Sequence, residues 1–161
     1  MDLPTLKNQV LKFLSYRPRS ITEVTRYLHG KTTDETLINQ TLDFLKKYKL
    51  VDDEAFAKWL VESRSRSRPR GSRLLKQELI SKGIDPSIIN SQLSSFNLPS
   101  STLNDKDLAL QALQKKLPRW QNLAFRDFRV KAGRFLASRG FSWGVIEEVV
   151  KTGYNSTHVS R

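Results

Sequence analysis

RSRSRPRGSRLLKQELISKGI, residues Arg64 to Ile84, joins a run of cations directly to an amphipathic helix, and fold and function are both read outward from it. Seven basic residues (Arg64, Arg66, Arg68, Arg70, Arg73, Lys76 and Lys82) stand against one acid, Glu78, so this stretch alone carries +6 of the chain's +12. Charge concentrated in this way predicts a polyanion as partner. Leu75 and Leu79 lie four apart with Leu74 beside them, which gives a helix after Gly71 one apolar stripe and leaves Arg73 and Lys76 on another side. Arg66, Arg68 and Arg70 precede this helix beside Pro69 and are expected to face solvent and contribute little to stability.

Helical periodicity continues on both sides of this stretch. Leu6, Val10, Phe13 and Leu14 predict a first helix that Pro18 ends. Ser20 and Glu23 have the spacing of a capping box before Val24, Tyr27 and Leu28. Asp34 caps a third helix bearing Leu37, Ile38, Leu42 and Leu45. Asp52, Asp53 and Glu54 open the next helix, where negative charge meets the positive end of the macrodipole. A carboxylate triplet suggests a divalent-cation site as well, but without a second acid cluster the capping reading is preferred. Pro69 and Gly71 break the chain, and Asp85 with Pro86 starts a helix carrying Ile88, Ile89, Leu93 and Phe96. Asn97 to Asn104 reads as a linker. Leu108, Ala109, Ala112, Leu113 and Leu117 then predict a helix that stops at Pro118, followed by one with Phe125, Phe128, Ala132, Phe135 and Leu136. A last helix, capped by Ser142, carries Val145, Ile146, Val149 and Val150, and after Gly153 the chain is expected to fray into a mobile polar tail. No segment alternates as a strand.

Anchoring on Leu28, Leu79 and Leu136 makes three units coincide, at spacings of 51 and 57 residues. Six positions after each anchor comes a cap (Asp34, Asp85, Ser142), and ten after comes Ile38, Ile89 or Ile146. Three after stands a base (Lys31, Lys82, Arg139), and four after stands Thr32, Gly83 or Gly140, suited to a tight helix-to-helix turn. The expected fold is therefore all-α: three tandem three-helix repeats at 1–50, 51–98 and 105–154, with a linker at 99–104 and a tail at 155–161. Such repeats gain their stability by stacking, which predicts an elongated, curved array.

Composition narrows the function classes. The chain has 161 residues, 38 % of them hydrophobic, and Lys and Arg outnumber Asp and Glu 28 to 16. No stretch reaches the roughly 20 apolar residues of a membrane span, and MDLPTLKNQVLKFL lacks the pattern of a secretory signal, so a cytoplasmic protein without membrane contact is expected. There is no cysteine, and His29 and His158 lie far apart, which argues against a metal or His-based catalytic site; no cofactor is expected. Trp59, Trp120 and Trp143 could stack on bases, but in a helical repeat they are expected in the core.

With these residues in view, the sequence resembles the RecX family from about residue 12 to residue 152. The matching segments are YRPRSITEVTRYL in the first unit, LVDDEAFAKWLVESR with the basic run and G-x-x-x-L-x-x-E-L-x-x-K-G-I in the second, and K-x-x-x-F-L-x-x-R-G-F-S in the third. The resemblance implies an all-helical fold of three three-helix repeats. It implies a regulator that binds RecA filaments on single-stranded DNA and suppresses ATP hydrolysis, strand exchange and coprotease activity, modulating recombination, DNA repair and the SOS response. Here the expected partners are the RecA filament and single-stranded DNA, bound with RecA or weakly alone, by a monomer. The binding residues are expected to be Arg64, Arg66, Arg68, Arg70, Arg73, Lys76 and Lys82, then Arg126, Arg129, Lys131, Arg134 and Arg139, because guanidinium groups suit both carboxylates and phosphates. The alternative is a helical DNA-binding protein acting on DNA without RecA, although no base-reading helix is evident. An enzyme is the least supported class, with Asp52 and Asp53 as its one acid pair.

Overall fold

Ser20 and Glu23 make the capping box that their spacing predicts: the Ser20 hydroxyl accepts from the Glu23 N–H and the Glu23 carboxylate from the Ser20 N–H. Local chemistry of this kind sets most helix starts in the computed structural model, which describes residues 1–96 and 104–158. Asp2 caps α1 (Leu3–Ser15), the box opens α2 (Ile21–His29), and Asp34 caps α3 (Glu35–Lys47). Asp52 Oδ1 accepts from the N–H groups of Glu54 and Ala55 at the start of α4 (Asp53–Ser67). After α5 (Ser72–Ser81), Asp85 accepts from Ser87 at the start of α6 (Pro86–Phe96). Asn104 caps α7 (Asp105–Gln114), and α9 (Phe125–Ser138) and α10 (Trp143–His158) complete the described chain. Every regular element among the described residues is helical.

Two expectations need correction. Pro118 does not end the helical structure; it sits in the first turn of a short α8 (Leu117–Trp120), where its missing N–H costs no intrahelical bond. The chain does not fray at Gly153, because α10 runs on to His158, whose ring stacks on Tyr154 with centroids 3.8 Å apart. Arg64 and Arg66 of the basic run lie on the last turn of α4. Of the expected linker, only Asn104 falls within the described residues.

The chain divides into two compact units, Met1–Leu60 with Leu79–Ile89, and Val61–Glu78 with Asn90–Arg161. The first is centred on Leu6, Val10, Val24, Leu28, Ile38, Leu45 and Val51. In the second, α10 packs on α7 and α9, and Leu108, Leu113, Phe128, Leu136, Ile146 and Val149 are buried. The repeat anchors Leu28, Leu79 and Leu136 are all fully buried. Each accepts a backbone bond from the base three residues on (Lys31, Lys82, Arg139). In the second and third repeats the chain then turns through Gly83 (φ 73°) and Gly140 (φ 85°). There Ile84 and Phe141 donate back to Leu79 and Leu136, closing a Schellman motif.

The units use one docking pattern twice. In the first unit the Ile21 N–H, at the start of α2, donates to Asp53 Oδ1 at 2.8 Å; in the second the Ser72 N–H, at the start of α5, donates to Asp105 Oδ1 at 2.9 Å. Both donors lie seven residues before their anchor, and both acceptors open the first helix of the following repeat. One residue earlier in each donor repeat, Ser20 Oγ donates to the Lys82 carbonyl at 2.7 Å and the Gly71 N–H donates to the Arg139 carbonyl at 2.8 Å. The middle helices of the first two repeats are thus capped by the repeat that follows, so nearest-neighbour contacts satisfy backbone groups as well as bury surface.

At the first of these junctions Glu23, with an 11 % exposed side chain, receives two bonds from Arg17 (2.8 and 3.1 Å) and one from Lys82 Nζ (2.9 Å). Burial alone would push its carboxyl up, but these donors and the Ser20 N–H dominate and hold it at about 2. A folded-state value below the unfolded one means that the stabilisation is complete above pH about 4.5 and is lost as the pH falls toward 2, by on the order of 3 kcal/mol. Urea unfolding should show the difference: Glu23→Gln should be less stable at neutral pH and lose less stability than wild type on going to about pH 3. Equal acid sensitivity in the two proteins would contradict this role.

Candidate polyanion interface

The expected binding cations divide by whether a carboxylate already holds them. Arg64 clamps Glu78 through Nε and Nη2 (2.6 Å at the shortest), and Arg70 Nη1 lies 2.7 Å from the same carboxylate. These bonds push the Arg64 guanidinium up. Lys82 is bound to Glu23. Arg70 is therefore not the free surface charge expected; it is half-buried and tied across α5, because the one acid of the run stands where it can gather the flanking arginines. Arg66, Arg68, Arg73 and Lys76 are exposed as expected, Arg73 reaching the Ala137 carbonyl at 3.3 Å.

In the third repeat, Arg126, Arg129, Lys131 and Arg134 project from exposed positions of α9, and Arg129 reaches Glu147 at 3.3 Å. Arg126, Arg129 and Arg134 border a groove of about 530 Å³ floored by Val130, Gly133 and Ala137, with Trp143 at its edge. Trp143 is 57 % exposed, against the expectation of a core position, and Phe125 is 40 % exposed. Trp143 stands at the first position of α10, where its ring rests beside the missing side chain of Gly133 rather than inside the bundle.

A second concavity of about 220 Å³ gathers Arg68, Lys115, Lys116, Arg119 and Arg139 beside Phe135. Lys116 and Arg139 lie over the Phe135 ring at 5.3 and 5.1 Å, and Trp120 meets that ring edge-on. Burial, then the charges of Arg68 and Arg70, pushes the Arg139 guanidinium down. Sequence reasoning missed Lys115, Lys116 and Arg119. They sit in LQKKLPRW, Lys115 and Lys116 between α7 and α8 and Arg119 on α8, outside the dense basic run. Among the described residues, no group of three His, Cys, Asp or Glu side chains is placed to hold a metal ion, and no helix is long and apolar enough to cross a membrane.

The described elements are all helical, and the cations concentrate on the second unit. Family models for the three RecX three-helix domains match residues 7–45, 52–93 and 104–150. Proteins named "Regulatory protein RecX" are similar along most of the chain. The protein from Oceanobacillus iheyensis is 37 % identical over 88 % of this chain and 50 % of its own length, and that from Chlorobium limicola 34 % over 87 % and 84 %. The chain thus spans about half the length of some relatives and most of others. A crystal structure of RecX from Lactobacillus salivarius superposes with a TM-score of 0.76 at 23 % identity, covering 93 % of this chain and 95 % of that one. A second, of a regulatory protein RecX, gives 0.75 at 27 %, covering 92 % and 73 %. The chain belongs to the RecX family.

Proposed function

We propose that this protein is a non-enzymatic regulator that binds RecA filaments assembled on single-stranded DNA and inhibits their activities. One observation carries the reading beyond family membership: the exposed cations Arg66, Arg68, Arg73 and Lys76, with Arg126, Lys131 and Arg134, all belong to the second unit. A nucleoprotein filament offers carboxylates and phosphates together, and arginine donates bidentately to both. The Arg-lined groove bearing Trp143 and Phe125 supplies apolar area of the kind that anchors protein contacts. Arg64 and Arg70 act on the fold through Glu78, and Lys82 through Glu23.

Filament binding by anisotropy at several salt concentrations tests this reading. Arg66→Glu with Arg68→Glu should weaken binding at least tenfold and flatten its salt dependence while leaving melting within about 0.5 kcal/mol of wild type. Arg70→Glu should destabilise the protein, because it places a second carboxylate against Glu78. A double variant that binds as wild type does would remove this run from the interface.

A further inference from the structure

Charge and shape on α9 and α10 select an occupant of one kind. The groove of about 530 Å³ over Val130, Gly133 and Ala137 shares Phe125, Arg129 and Trp143 with a second hollow of about 170 Å³. That hollow is walled by Ile146 and Val150 and edged by Glu147 and Lys151. The two form one trough, with room for a row of side chains along α9 and for a single large one against α10. Its apolar surface is open: Val130 is 48 % exposed, beside the exposed Trp143 and Phe125. The Trp143 ring lies against Gly133, where an added Cβ would meet its Cζ3 at 3.8 Å. An exposed tryptophan seated on a helix and bordered by arginines has the composition of an interface centre.

The rim settles the chemistry. Arg129 is answered by Glu147 at 3.3 Å, whereas Arg126, Arg134 and Lys151 have no carboxylate partner among the described residues. A second copy would bring these cations against their own kind, in a chain whose net charge is +12. A nucleic-acid strand would meet the aliphatic Val130 and Ala137 where its bases need aromatic faces. An acidic peptide satisfies both features, since its carboxylates meet the rim arginines bidentately while its apolar side chains fill the trough. The described elements offer no strand edge to which a peptide could add, so the mode is a helix laid in a groove. Val130, Gly133 and Ala137 have the i, i+3, i+7 spacing of one helical face, which matches the anchors of such a helix.

We propose that the trough of α9 and α10 is a docking site for an acidic amphipathic helix of a partner protein, its apolar face on Val130, Gly133, Ala137 and Trp143 and its carboxylates on Arg126 and Arg134. The chain alone takes this helix, with neither filament nor strand present, so the inference goes beyond the filament reading.

The test is anisotropy of a labelled peptide of about eighteen residues, long enough to form a helix on binding, titrated with the full chain alone. The peptide carries Leu and Phe on one face and Asp and Glu on the other. Wild type should bind it saturably. Peptides with alanine at the anchors, or with lysine in place of the acids, should bind more than about tenfold more weakly. Val130→Glu should weaken binding by a similar factor, because it puts a carboxylate on the trough floor, four residues from both Arg126 and Arg134, where it occupies them. Arg126→Glu with Arg134→Glu should weaken it as much and remove most of its salt dependence. All three substitutions fall on exposed helix positions, so melting should stay that of wild type, and either variant serves if the other unfolds. A folded Val130→Glu protein that binds the peptide as wild type does would overturn the proposal, and so would equal binding of the alanine-anchor peptide. Two other occupants would also overturn it: a wild-type dimer in sedimentation that Val130→Glu dissolves, or an oligo-dT complex that Val130→Glu abolishes. Filament binding is measured on the same proteins. A wild type that holds the peptide but no filament keeps the trough and removes the filament reading; one that holds the filament but no peptide does the reverse.

Discussion

Gly140→Ala should destabilise the protein by about 2 to 5 kcal/mol and lower its melting temperature by about 5 to 15 °C. Two costs combine. The residue has φ 85°, a conformation that strains any side chain beyond glycine. An added Cβ would also fall 2.5 Å from Leu74 Cγ and 2.9 Å from the Leu74 backbone nitrogen. Gly71→Ala should be comparably costly, although no positive φ is involved there, because its Cβ would sit 2.2 Å from the Gly140 carbonyl oxygen. The two glycines let the start of α5 and the turn after α9 approach backbone to backbone, with Gly71 donating to Arg139. Gly144, which has nothing within 4 Å of an added Cβ, is the control. There alanine should be neutral or stabilising by up to about 1 kcal/mol, since it removes a helical glycine. Thermal and urea unfolding of the three variants measure the effect, and a Gly140→Ala protein as stable as Gly144→Ala would show that the junction is not closely packed.

Leu136→Ala should cost about 2 to 5 kcal/mol, and Leu28→Ala and Leu79→Ala a similar amount each. All three side chains are fully excluded from solvent and end the middle helix of their repeat just before its turn. Truncation leaves a cavity which the fixed turn, pinned through the anchor's own carbonyl, closes poorly. Leu11, 37 % exposed on α1, should tolerate alanine within about 1 kcal/mol. If the three anchors differed from one another as widely as each differs from Leu11, the repeat equivalence would not describe the energetics.

What the sequence made legible is the chemistry that acts within one helix or one turn. The Ser20–Glu23 box, the Asp34 and Asp85 caps, the buried stripe on each helix and the two turn glycines are all decided by residues within a few positions of one another. The docking pattern was not legible, because Asp53 caps Ile21 from 32 residues away and Asp105 caps Ser72 from 33. Each of those acids reads locally as a first-turn carboxylate, and a local reading cannot separate the two roles. The same limit explains the site. Arg70 looked free until its fold placed it on Glu78, and Trp143 looked like core because its position on the helix start, not its type, leaves it exposed. The Lys115, Lys116 and Arg119 cluster forms only when α7 and α9 converge. One signal was present in the repeat alignment itself: the replacement of Glu23 by Leu74 at equivalent positions marks the junction whose cations lack their acid.

The central claim is regulation of a RecA filament, and it is tested most directly by the single-strand-dependent ATP hydrolysis of the cognate RecA, titrated with this protein. The account predicts that hydrolysis falls in a saturable way as protein is added, that added salt relieves the inhibition, and that the Arg66→Glu, Arg68→Glu double variant, folded as wild type, inhibits at least tenfold more weakly. Hydrolysis that stays unchanged at several-fold excess of the folded wild-type protein would contradict it.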